Sequence, residues 1–208
     1  MALPIPRHAA LATAFVVLLA AAPARATFHL WQIEEVFSNA DGTIQYIEFH
    51  TTSTFNQNVL LNRVLRSNQG LTVLDSYTFP SNLGTPTQNK FFLVATPAFA
   101  AAAGIEPDYT LPATGFLHLD ATDTVLMVGS STTPFSFDPA ALPTDGVHSL
   151  DASAGFPAVV ADNTPTNFAG DTGHLVPEPE ATALGVTAAG ALGLFARRNR
   201  AFLARPSA

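Results

Sequence analysis

From Phe28 to Phe37 aromatic and β-branched residues alternate with polar ones. This puts His29, Trp31, Ile33, Glu35 and Phe37 on one face of a strand and Leu30, Gln32, Glu34 and Val36 on the other. Asn39-Ala40-Asp41-Gly42 interrupts the alternation and Thr43 to Thr51 resumes it. Asp-Gly between two such runs predicts a hairpin, because both residues tolerate the positive φ of a tight turn. Further strands are predicted at Val59 to Leu65, Leu71 to Phe79, Lys90 to Ala95, Gly115 to Leu119 and Thr124 to Val128, separated by clusters of Asn, Gly, Pro and Ser. Short strands at this spacing define an all-β fold, an antiparallel sandwich. A single helix interrupts them, with Thr96 as its cap, Pro97 in its first turn, Ala98 to Ala103 as its body and Gly104 at its end. Beyond about Leu142 the periodicity fades. That region reads as irregular chain laid over the sandwich, with one short strand near Ala158 to Ala161.

The two ends follow a different pattern. Arg7, an apolar stretch from Ala9 to Ala22, Pro23 and then Ala24-Arg25-Ala26 form a positive start, an apolar segment and small residues at alternate positions. This is a secretory signal, and residues 1–26 are expected to be removed by signal peptidase after Ala26. At the other end, Pro177-Glu178-Pro179-Glu180 precedes an uncharged stretch, Ala181 to Ala196, and then the basic residues Arg197, Arg198 and Arg200. A helix over that stretch rises about 24 Å, short of the roughly 30 Å of a hydrocarbon layer. Its Ala and Gly content makes it a weak transmembrane anchor, with the arginines expected on the cytoplasmic side. A C-terminal helix buried against the domain is the alternative. Between the ends, residues 27–176 form the folding unit.

Composition narrows the chemistry. The 208 residues include no cysteine, so disulfides, thiolate metal sites and cysteine nucleophiles are excluded. Six of the nine basic residues are terminal, which leaves Arg63, Arg66 and Lys90 against fourteen of the sixteen acids, a balance of −11 for the central region. Such a surface repels phosphate and argues against a nucleic-acid partner, while it admits divalent cations.

Glu35 and Glu48 face each other across the predicted hairpin. Two carboxylates sharing a cleft would split their pKa values as acid/base catalysis requires. Asp120, Asp123, Asp138, Asp145, Asp151, Asp162 and Asp171 offer oxygen ligands of the kind calcium takes. None lies in a D-x-D-x-D-G loop, and Asp is a common turn residue, so solvated turns are expected and no cofactor is assigned. His29, His50, His118, His148 and His174 are widely spaced, and no Gly-x-Ser-x-Gly elbow marks a serine nucleophile. No catalytic residue and no metal ligand is therefore assigned.

The ordered set of Pro177, Glu178 and Pro179, a short weak span and the cluster Arg197, Arg198 and Arg200 resembles the PEP-CTERM sorting tag, here residues 177–208. The tail Ala201 to Ala208 is longer than such tags usually run. The resemblance implies recognition and removal by exosortase, a membrane transpeptidase-like enzyme of Gram-negative bacteria that often make exopolysaccharide. It implies export, transient anchoring in the inner membrane, and a final place in the cell envelope or outside the cell. Ile33-Glu34-Glu35-Val36, Asn39-Ala40-Asp41-Gly42 and Tyr46-Ile47-Glu48-Phe49, followed by Tyr77-Thr78-Phe79-Pro80 and Lys90-Phe91-Phe92-Leu93-Val94, resemble the opening of lamin-tail-type domains over Phe28 to Val128. That resemblance implies an immunoglobulin-like sandwich in which acidic residues at these positions are structural. Leu142-Pro143-Thr144-Asp145-Gly146-Val147 and Pro165-Thr166-Asn167-Phe168-Ala169-Gly170 are similar to segments of uncharacterised envelope proteins bearing the same tag. The expected function is thus that of a non-enzymatic envelope or matrix protein. A calcium-dependent adhesin or polysaccharide-binding module is the alternative, and a hydrolase is a remote third.

Overall fold

A computed structural model describes residues 29–119, 123–128 and 134–176. The expected signal peptide, the sorting tag with its span 181–196, and Asp120 lie outside the described residues, as does the side chain of Asp123.

Among the described residues ten strands form two sheets, with one short α-helix. The first sheet comprises β1 (Gln32–Ser38), β2 (Gln45–Thr51), β5 (Lys90–Ala95), β6 (Tyr109–Thr110), β9 (His148–Asp151) and β10 (Val159–Asp162), in the order β10-β9-β1-β2-β5-β6. The second comprises β3 (Val64–Gln69), β4 (Thr72–Thr78), β7 (Asp123–Val128) and β8 (Phe135–Phe137), in the order β4-β3-β7-β8. All pairings are antiparallel except β5 with β6. The molecule is an all-β sandwich, as expected, with that one parallel pair as a departure.

The core between the sheets is aromatic. Trp31, Phe49, Phe79, Phe92 and Phe135 are fully buried, and Phe92 stands edge-on to Trp31 at 4.7 Å and stacks on Phe49 at 4.4 Å. Burying rings of this size contributes about 2 kcal/mol each. The Trp31 indole N–H, which would otherwise be an unpaired donor in the core, donates to the Gln57 carbonyl at 2.6 Å. A second buried cluster lies on the opposite face of the six-stranded sheet, where Phe37, Tyr46 and Leu93 meet Phe99 and Ala103 of helix α1 (Phe99–Ala103) and Leu175 near the end of the described chain. Both faces of the middle of this sheet are therefore covered.

Several elements depart from the sequence expectation, each for a local reason. The alternation along β1 breaks at a bulge between Ile33 and Glu35, where Glu34 is the extra residue. Trp31 and Ile33 before the bulge thus share the sandwich core with Val36 after it, whereas Glu35 and Phe37 turn to the outer face. The hairpin is not a two-residue turn. Asn39 N–H donates to the Ile44 carbonyl at 2.9 Å, Gly42 alone takes positive φ at 73°, and Asp41 accepts from the Thr43 amide and hydroxyl. The strand expected at Val59 to Leu65 begins only at Val64, because Leu60 to Arg63 form a turn in which Asn62 has φ 63°.

Gly115 to Leu119 is a loop. Its amides at Phe116 and Leu117 are taken by the buried Gln45 side chain, at 2.6 and 2.8 Å, in place of a neighbouring strand. Helix α1 is capped by Ala98 without a side-chain bond, since Thr96 uses its hydroxyl on the β2 backbone, accepting from Gln45 N–H at 3.0 Å and donating to the Thr43 carbonyl at 2.7 Å. Gly104 ends the helix with φ 73°, as expected. Strands β6, β8 and β9 were not expected; the strand near Ala158 to Ala161 corresponds to β10, and β9 completes a hairpin with it at the sheet edge. No helix among the described residues is long and apolar enough to cross a membrane.

Candidate functional site

The outer face of the six-stranded sheet carries the chain's unusual chemistry. The bulge aims Glu35 outward, and the register pairs it directly with Glu48 on β2. Both are buried, at 2 % and 3 % exposure, which carboxyl groups seldom are without partners. A strap, residues 163–176, leaves β10 and crosses this face, and its backbone supplies partners to the acids. Thr164 N–H donates to Glu35 at 3.1 Å, Thr166 N–H to Glu48 at 2.5 Å and Phe168 N–H to Asp108 at 2.9 Å. At the start of the strap three alternate amides, of Thr164, Thr166 and Phe168, thus end on three different carboxylates, two on the sheet and one just before β6.

Glu35 has two further donors. The Tyr46 hydroxyl donates to the same oxygen at 2.6 Å and the Ser149 hydroxyl at 2.5 Å. Burial raises the Glu35 pKa, opposed by the bonds from Ser149, Tyr46 and Thr164. Glu48, with a single amide donor, is pushed from the ordinary 4.5 to about 9, first by burial and then by the charge of Glu35. The pair thus divides its roles: Glu35, with three donors, holds the negative charge and Glu48 keeps a proton at neutral pH. Burial and the neighbouring Glu35 push the Tyr46 phenol well up, so it stays a donor. Asp108 is raised by burial, against the amides of Leu93 and Phe168 that it accepts.

Two asparagines finish the strap. Asn163, fully buried, donates through its amide nitrogen to the Val147 and Leu175 carbonyls and accepts from Leu175 N–H at 2.6 Å. Asn167 accepts from the Gly170 and Asp171 amides at 3.1 and 2.9 Å and donates to the Glu106 carbonyl at 3.1 Å. Gly173 lies so close to helix α1 that a Cβ there would sit 2.9 Å from the Ala103 carbonyl oxygen. Beside the acid pair a pocket of about 190 Å³ opens between Glu34, Asp151, Thr164 and Thr166.

The other residues singled out from the sequence do not converge here. Asp138 accepts from Ala140 N–H at the start of a 3-10 turn, Asp145 from the amides of Val147 and His148, and Asp151 from Ser153 N–H. Asp162 lies 3.5 Å from the His148 ring and Asp171 accepts from Asn167. Burial would raise Asp145, yet its bonds from His148 and Val147 bring it to about 2. The histidines are dispersed: His50 pairs with Glu34 at 2.6 Å, His118 with Asp75 at 2.9 Å and His148 with Asp145 at 2.6 Å, while His174 meets the Asn163 carbonyl at 2.9 Å; His29 is exposed. Among the described residues no group of three or more His, Asp or Glu is arranged to hold a metal ion.

The sequence drew attention to Glu35 and Glu48 but not to Tyr46, Asp108, Ser149 or Asn163. A polar residue at each strand position that should be apolar, as at Tyr46 and Ser149, was the available signal. Comparison of the chain with known protein families, with curated proteins and with solved structures finds no match.

Proposed function

We propose that this chain is a non-enzymatic, exported cell-envelope or matrix module with an immunoglobulin-like, lamin-tail-like sandwich, delivered by a cleaved signal peptide and sorted by exosortase through Pro177-Glu178-Pro179. The observation that carries the reading is how the acid pair on the outer face is used. Glu35 and Glu48 are occupied by hydrogen bonds from the strap, Tyr46 and Ser149, so the acid pair acts as a fastening. That fastening closes the fold on buried Leu175 and exposed Val176, one residue ahead of the tag. An anchor of this length and composition suits transient holding in the inner membrane, and the acidic domain suits an extracellular matrix in which exopolysaccharide is the partner.

The test is expression of the full chain in an exosortase-bearing host, with mass measurement of the mature protein. The expected product lacks residues 1–26 and the span 181–196, and deletion of exosortase restores the span. Retention of Ala181 to Ala196 in both backgrounds removes the sorting claim, and hydrolytic activity lost in Glu35→Gln would remove the non-enzymatic one.

A further inference from the structure

Strand β10 is the outermost strand of the larger sheet, and among the described residues no strand pairs with its outer edge. Which backbone groups face outward follows from the neighbouring bonds. Asn163 N–H donates to the Val147 carbonyl at 3.0 Å and Ala152 N–H to the Glu34 carbonyl at 2.7 Å, so Asp151 and Ser149 bond toward β10 while Leu150 and Ala152 bond toward β1. In the antiparallel register of β9 with β10, Val159 and Ala161 are consequently the residues that bond inward. Val160, with Ala158 and Asp162 on either side, directs its N–H and C=O away from the sheet.

The side chains at this edge are apolar on both faces: Val159 and Val160 are more than half exposed, at 56 % and 57 %, and Phe156 just before them at 50 %. Natural edges are usually blunted by charge, bulges or covering chain. The other strand edges show such devices. β4 itself carries a bulge, with Leu74 as the extra residue opposite Ser67 and Asn68, and has Asp75 beside it, bound by His118, while β6 has two residues and β8 three. β10 has no charge until Asp162, at its end.

We propose that β10 pairs antiparallel with β10 of a second copy of this chain, around a two-fold axis at Val160, joining two six-stranded sheets into one. The strand is self-complementary in that register. Val160 meets Val160 of the partner, exchanging both outward backbone bonds; Val159 meets Ala161, and Ala158 meets Asp162. Each acid thus faces an alanine, and the two Asp162 carboxylates stand about 14 Å apart along the strands, beyond the screening length of roughly 8 Å at physiological salt. Each Asp162 also has His148 3.5 Å away as a partial counter-charge. A second copy suits the edge because the strand matches itself in side-chain size on both faces and keeps its only charges apart.

The absence of cysteine makes a direct test available. Across a hydrogen-bonded antiparallel pair the Cα atoms lie about 5.5 Å apart, within the span of a disulfide. Full-length Val160→Cys, mildly oxidised and run on non-reducing gels, is expected to give about tenfold more covalent dimer than Ala158→Cys, which would face Asp162, or than Leu71→Cys at a distant exposed turn. In parallel, Val160→Pro deletes an outward N–H and leaves the bonds between β10 and β9 in place; it is expected to melt as the wild type does at a concentration where both are monomeric, and to lack the rise of mass with concentration that sedimentation of the wild type is expected to give. Equal cross-linking at Val160 and Leu71, cross-linking to a protein of different mass, or a well-folded Val160→Pro that dimerises as the wild type does would each overturn the proposal. If Val160→Pro fails to fold, the cysteine pair decides alone.

Discussion

At residue scale the two glutamates are chemically unequal although they are the same side chain in paired positions. Glu35 receives two hydroxyls and an amide, and Glu48 receives one amide. A carboxyl held near pKa 9 in the folded state but near 4.5 when unfolded keeps a proton that the unfolded chain has lost. The unfolded state is therefore favoured progressively as pH rises between those values, and the Glu48 contribution is full below about 4.5 and gone by about 9. Glu48→Gln mimics the neutral acid and cannot titrate. Urea unfolding at pH 5, 7 and 9 should show a wild-type decline across the series that Glu48→Gln flattens, with the variant the more stable protein at pH 9. Glu35→Ala works the other way. It strands the buried Tyr46 and Ser149 hydroxyls and the Thr164 amide, and should cost roughly 3–5 kcal/mol at pH 5 and less at pH 9, where it also removes the charge that opposes ionisation of Glu48. The hairpin register made the pair visible in the sequence. Its use was not, because the donors Ser149 and Thr164 lie 114 and 129 residues from Glu35.

At element scale the strap behaves as a structural layer without being a strand or a helix. Many of its amides end on side-chain oxygens, of Glu35, Glu48, Asp108, Asn163 and Asn167, where a strand would find a neighbour's carbonyls, so no periodicity is imposed on it and none can be read from it. This is why the region beyond Leu142 looked irregular even though most of Asn163 to Leu175 is bound. Asn163 holds both ends, reaching Val147 on one side and Leu175 on the other. Asn163→Ala should therefore destabilise the protein by about 2–3 kcal/mol. The sharper measurement is hydrogen exchange, in which the Thr164, Thr166 and Phe168 amides should lose protection together while β2 and β5 amides keep theirs. Exchange that speeds uniformly would mean that the strap is not a separate unit. The hairpin β1–β2 and the strands β4, β5 and β7 are legible in the sequence because they are runs of aromatic, β-branched and other apolar residues bounded by Asn, Gly, Pro and Ser. The bulge at Glu34 is not, because a two-residue period carries no mark of where one residue is added.

At the scale of the whole molecule, charge opposes both folding and association. The central region carries a balance of −11 with three basic residues to offset it, and two of its acids, Glu35 and Glu48, are buried within the fold. At 0.01 M salt the screening length is about 30 Å, comparable to the domain, and at 0.15 M it is about 8 Å, so most of the self-repulsion is removed over that range. A gain of about 1 kcal/mol would raise the melting temperature of a domain this size by about 2–4 °C, and the β10-linked dimer should tighten in the same titration. Screening depends on ionic strength alone, which turns the experiment into a test of the calcium alternative. If the acids act only as fastenings and turns, calcium chloride and sodium chloride at equal ionic strength should give superimposable melting curves. An excess shift with calcium at millimolar concentration, absent with magnesium, would mean that the described acids gather around an ion. The first positions to mutate would then be Glu34 and Asp151, which flank the pocket and leave the strap's own fastenings at Glu35, Glu48 and Asp108 untouched.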